Sequence, residues 1–157
     1  MTSPQPVDKV NLRSLLWVGP LTVVASVVAV LIMRAMAVAI LNPSPAFTPL
    51  GLGPPMAFTT LLVTAAVIVF ANMGRFVPRP IRTFQIVSVV VLVLSFIPDI
   101  LLLTAPAGPP PGAVTSPAGG PPMMGGVTVP NVLALMVMHI VAYWVCVTLL
   151  TRLARAK

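Results

Sequence analysis

Charge is what this chain has least of. Only 7% of its 157 residues are Asp, Glu, Lys or Arg, against roughly 25% in an ordinary soluble domain. Glutamate is absent, and Asp8 and Asp99 are the only acids. One cysteine, Cys146, and one histidine, His139, complete a thin chemical inventory. A water-soluble globular enzyme is excluded, because it needs a charged skin. So is intrinsic disorder, which needs low hydrophobicity, whereas 58% of this chain is apolar. A single cysteine rules out a disulfide framework, a CxxC pair and a Cys/His zinc pattern. With no second carboxylate in an apolar run there is no acid/base pair. No Gly-x-Ser-x-Gly elbow, His-Glu-x-x-His or phosphate-binding Gly-rich loop is present.

What is present is length and apolarity. The mean hydropathy is +1.07, and four runs meet the roughly 20 apolar residues needed to cross about 30 Å of hydrocarbon. They are Ser14 to Leu41, Pro55 to Met73, Ile81 to Thr104 and Pro130 to Thr151. Their continuity predicts helices, since barrel strands would alternate in polarity. The expected fold is an all-α membrane protein, a single four-helix transmembrane domain over 1–157. Ala35-Met36-Ala37 has the small-residue look of a signal cleavage site. The apolar run before it, Leu15 to Met33, exceeds a signal h-region of about 7–15 residues, so the first span is expected to be retained.

The net charge of +7 falls in clusters. Lys9 and Arg13 precede the first span; Arg75, Arg79 and Arg82 lie between the second and third; Arg152, Arg155 and Lys157 follow the fourth. The other two loops hold no Lys or Arg. This is the arithmetic of membrane topology and not of nucleic-acid binding; it predicts both termini on the cytoplasmic side of an inner membrane. Trp17 and Trp144 near the same ends agree with an interfacial belt. The loop from Ala105 to Thr128 holds seven Pro and six Gly without a charge. It cannot be regular structure for long, and reads as a linker or as a strap on a partner.

Three ionisable side chains fall within the spans: Arg34, Asp99 and His139. Each is costly there, about 2.5–3.5 kcal/mol for Arg or Asp at a helix centre. Counting about 1.5 Å per residue from the basic end puts Arg34 about 30 Å up, Asp99 about 25 Å and His139 about 20 Å. This spacing permits an Arg34–Asp99 ion pair with His139 beneath it. Snorkelling by Arg34, and a plain core role for His139, are the structural alternatives. On the third span Gln85, Ser88, Leu92, Ser95 and Asp99 recur at spacings of three and four, a stripe expected to face the bundle. Pro98 beside Asp99 predicts a kink with a small polar recess. On the fourth, His139, Ala142, Tyr143 and Cys146 share a face. Gly19, Thr22, Ser26 and Ala29 form a small-residue ridge for close helix contact, with Thr60 and Thr64 similar on the second span. The candidate intramembrane polar cluster is Arg34, Ser95, Asp99, His139 and Tyr143, with no catalytic or metal-ligating set.

Leu94-Ser95-Phe96-Ile97-Pro98-Asp99, Met138-His139-Ile140-Val141-Ala142 and Trp17-Val18-Gly19-Pro20 resemble a family of small bacterial four-helix membrane proteins of unknown function. The resemblance implies a multi-pass inner-membrane protein and carries no activity.

No cofactor is expected. Bis-histidine haem needs a second histidine, and a one-sided haem or chlorin site has only His139 to offer. The functional expectation is a non-enzymatic accessory subunit, held in the lipid bilayer and docked on a larger membrane complex of the electron-transfer or photosynthetic kind. The alternative is a small transporter, proton relay or quinone- or lipid-binding protein using Arg34, Asp99 and His139.

Overall fold

A computed structural model describes residues 10–43, 47–104 and 127–154. It contains four helices: α1, Leu12–Leu41; α2, Gly53–Phe76; α3, Pro80–Thr104; and α4, Val129–Leu153. A single 3-10 turn, Thr48–Leu50, precedes α2, and no strand occurs among the described residues. The helices match the four apolar runs to within a few residues. With 24 to 30 residues each, they are about 36–45 Å long, enough to span the hydrocarbon. The expectations for the 105–126 segment, Met123 and Met124 included, fall outside the described residues.

Local chemistry explains the helix ends. The Asn11 side chain accepts from the backbone N–H groups of Arg13, at 3.1 Å, and Ser14, at 3.3 Å, satisfying two donors that α1 would otherwise leave bare. At the other end Asn42 adopts φ 42°, the left-handed cap conformation that asparagine tolerates, and its N–H returns to the Val38 carbonyl. Thr128 caps α4 through Asn131 N–H, with Pro130 in the first turn, where a missing N–H costs nothing.

Helix α1 packs on both α2 and α4, while α3 packs mainly on α4 and touches α2 less. The order around the bundle is therefore α2, α1, α4, α3, with α1 and α3 on the diagonal. The small-residue ridge on α1 sets the first contact: Gly19, Thr22 and Ser26 are buried. A Cβ placed at Gly19 would lie 2.9 Å from Val67 Cγ1. Thr60 and Thr64, expected to do the same for α2, face outward instead, and Thr59 is the buried threonine of that helix. The α2 face that meets α1 and α3 runs through Val63, Val67 and Phe70, and the two threonines lie to its side.

Two apolar clusters fill the interior. Near the arginine-bearing end Leu15, Val18, Phe70, Phe84, Cys146 and Leu150 pack together, with Phe70 and Phe84 edge to face at 4.8 Å. Toward the opposite end Val30, Leu135 and Met138 close around Phe47 and Leu50. Much of the remaining apolar surface points outward, as Ile40 at 76% exposed and Phe76 at 80% illustrate. Such a surface suits lipid and not water.

Candidate functional site

The site is the contact between α3 and α4 in the half of the bundle away from the arginine cluster. Asp99 is buried, at 5% exposure. Its Oδ2 lies 3.1 Å from His139 Nδ1. The same Nδ1 lies 3.0 Å from the Leu135 carbonyl, one turn back on α4. A carbonyl can only accept, so a hydrogen bond at this contact puts the hydrogen on Nδ1. Only the Leu135 contact has hydrogen-bond geometry; Asp99 Oδ2 is a close neighbour of the N–H that lacks a hydrogen bond of its own. Such an oxygen is expensive to bury unless a cation stands beside it. Among the described residues the group beside it is the His139 imidazole. With Nδ1 occupied, Nε2 is the ring position left to take or release a proton. The His139 side chain is 34% exposed, so the pair has a shut side at Asp99 and an open side at the imidazole. Phe96, on α3, covers part of the ring edge on, with centroids 6.3 Å apart.

The remaining residues singled out in the sequence divide. Ser88, Leu92 and Ser95 are half-buried along the stripe that ends at Asp99, but Gln85 is exposed. The stripe drifts off the inner face there, and Ile81 and Phe84 line it instead. Ser95 does not reach Asp99: its hydroxyl donates to the Leu92 carbonyl at 2.7 Å. Tyr143 is half-buried one turn from His139. Helix α3 runs unbroken through Pro98, whose ring is exposed. A shallow groove of about 590 Å³ lies on α2 beside Gly53, Met56, Ala57, Thr60, Leu61 and Thr64.

Arg34 takes a different part from the one expected. Its Nε donates to the carbonyls of Leu50, at 2.8 Å, and Gly51, at 3.2 Å. The Arg34–Asp99 pair that the spacing permits is not formed, and Asp99 stands beside His139. Helices α1 and α3 are diagonal, and the carbonyls at the end of the Thr48–Leu50 turn lie within reach of Arg34. That clamp went unread in the sequence. Its signal was there: Phe47 and Leu50, three residues apart in a Pro/Gly-rich loop, match the 3-10 repeat and are both buried.

Residues 8–109 match the model of a family of unknown function (DUF6069). The chain belongs to that family. The match takes in α1, α2 and α3 with Asp99, while α4 with His139 lies beyond it. Searches of curated proteins and of solved structures gave no match. Membership brings no activity, and among the described residues four helices are long and apolar enough to cross a membrane, as a multi-pass membrane protein would have.

Proposed function

We propose that this family member is a non-enzymatic inner-membrane protein that works as a proton relay or proton-linked carrier through Asp99 and His139. One observation carries the reading: His139 Nδ1 lies 3.1 Å from a buried Asp99 oxygen that has no hydrogen bond. Ionisable groups inside a membrane are rare, and when paired they mark ion or proton pathways. A proton arriving at Nε2 makes the imidazolium, and the Asp99 carboxylate balances it; its departure restores the neutral ring in the same tautomer. Arg34, tied to two carbonyls, belongs to the frame of the site. The basic clusters at one end of the helices support cytoplasmic termini.

The test is reconstitution into vesicles with a pH-reporting dye inside. Wild type is expected to dissipate or couple to an imposed proton gradient, and Asp99→Asn and His139→Gln to lose this while keeping helicity and detergent extraction unchanged. Equal fluxes from wild type and both variants would refute the reading.

A second reading is an accessory subunit docked on a larger membrane complex. The α2 groove favours it, because small residues and threonines on an outward helix flank let another helix approach closely. Purification from the native membrane in mild detergent separates the two. A stoichiometric large complex supports docking, and a lone monomer removes it.

A further inference from the structure

The arginine-bearing end is tied together in two places. The Asn11 N–H donates to the Ala154 carbonyl at 2.9 Å, joining the start of α1 to the end of α4. Arg13 and Arg152 each lie two residues from that bond. Three residues, 77–79, join α2 to α3, so Arg75, Arg79 and Arg82 crowd a second corner. All five arginines are exposed. Among the described residues no carboxylate stands at this end; Asp99 is about 25 Å up its helix by the α-helical rise and is buried. Five exposed arginines gathered at one end make a positive field that draws anions to it. The neighbours of these arginines point to the source. Leu16 is 79% exposed, Trp17 65% and Phe76 80%, each within four residues of Arg13 or Arg75. Guanidinium groups beside outward aromatic and aliphatic side chains match the layer where lipid phosphates meet acyl chains. An acidic soluble partner would leave those apolar groups in water.

We propose that this end binds the phosphate head groups of anionic phospholipid, one set at the Arg13/Arg152 corner and one at the Arg75/Arg79/Arg82 corner. The bound lipid neutralises the arginines and helps hold the two corners closed. This does not depend on the role of Asp99 and His139.

The experiment is native mass spectrometry of the full chain extracted from vesicles of phosphatidylcholine mixed with phosphatidylglycerol. Wild type is expected to retain phosphatidylglycerol in preference. Arg13→Gln with Arg152→Gln, and Arg79→Gln with Arg82→Gln, are each expected to lower that preference by about fivefold per arginine. The matching Arg→Lys variants keep most of it, which separates charge from folding. Equal retention of the two lipids, or a preference that survives all four Gln substitutions, overturns the proposal. Displacement of the lipid by millimolar inorganic phosphate overturns it in favour of a free-phosphate site. Binding of an acidic polypeptide that phosphatidylglycerol does not compete away overturns it in favour of a protein partner.

Discussion

Replacing His139 by leucine should cost far more than replacing Asp99 and His139 together. The structure sets the asymmetry. His139 Nδ1 has a second acceptor in the Leu135 carbonyl at 3.0 Å, so a histidine that loses Asp99 keeps a hydrogen bond. Asp99 Oδ2 is buried and has no hydrogen bond, so losing His139 takes away the polar neighbour that stands beside it. Breaking a buried ion pair from one side costs about 3–5 kcal/mol. With the imidazole partly open, His139→Leu belongs at the lower end, about 3 kcal/mol. Asp99→Leu should cost about 1 kcal/mol, since the ring it strands is still satisfied. The double variant removes both charges and substitutes apolar volume, a change that is often neutral or better, so it should lie within about 1 kcal/mol of wild type. The two single effects sum to about 4 kcal/mol, and the cycle should miss additivity by most of that. Reversible unfolding in mixed detergent micelles, followed by tryptophan fluorescence and circular dichroism, measures all four corners. A double variant as unstable as the sum of its parents would refute the assignment of Asp99 and His139 as partners. If the double variant is stable yet silent in the proton assay, the pair is retained for work and not for folding.

Three more expectations test the frame. Gly19→Val should destabilise by about 1–3 kcal/mol through overpacking against Val67, and Val67→Ala should restore much of it; thermal unfolding in detergent reads both, and independent effects would deny the close α1–α2 approach. Arg34→Gln should cost about 2 kcal/mol by weakening charge-assisted bonds to Leu50 and Gly51. Limited proteolysis at the loop before α2 should then rise, and unchanged cleavage would count against the clamp. Asn11→Ala removes the cap of α1 and should cost about 1 kcal/mol, visible as faster amide exchange over residues 13–15.

The four helices were legible because a membrane helix must satisfy its backbone internally and present apolar side chains for about 20 residues, a signal that few other segments imitate. The Gly19, Thr22 and Ser26 ridge was legible for a related reason: small residues at spacings of three and four on one span invite a neighbour. What the spacing could not supply was which helix lies beside which. Counting residues from the basic end puts Arg34, Asp99 and His139 in the far half of the spans, and the count goes no further than that. The pairing then turned on the order α2, α1, α4, α3, which puts Asp99 against α4 and sends Arg34 to backbone carbonyls. Hydropathy also says little about sideways direction on a helix, and so Gln85, Thr60 and Thr64 were assigned inward although they face out.

The packing of α3 chiefly against α4 has a consequence in time. Forty residues separate Asp99 from His139 in the chain. At a synthesis rate of about 5–20 residues per second, Asp99 precedes its partner by about 2–8 s. For that interval the third helix has a carboxylate to shelter and only its lighter packing on α2, the Phe70–Phe84 contact included, to hold it to the finished part of the protein. Insertion must then be completed backwards, with the last helix securing the one before it. A nascent chain arrested before Val129 should leave the third helix extractable by alkaline carbonate, and arrest well past Leu153 should lock it in.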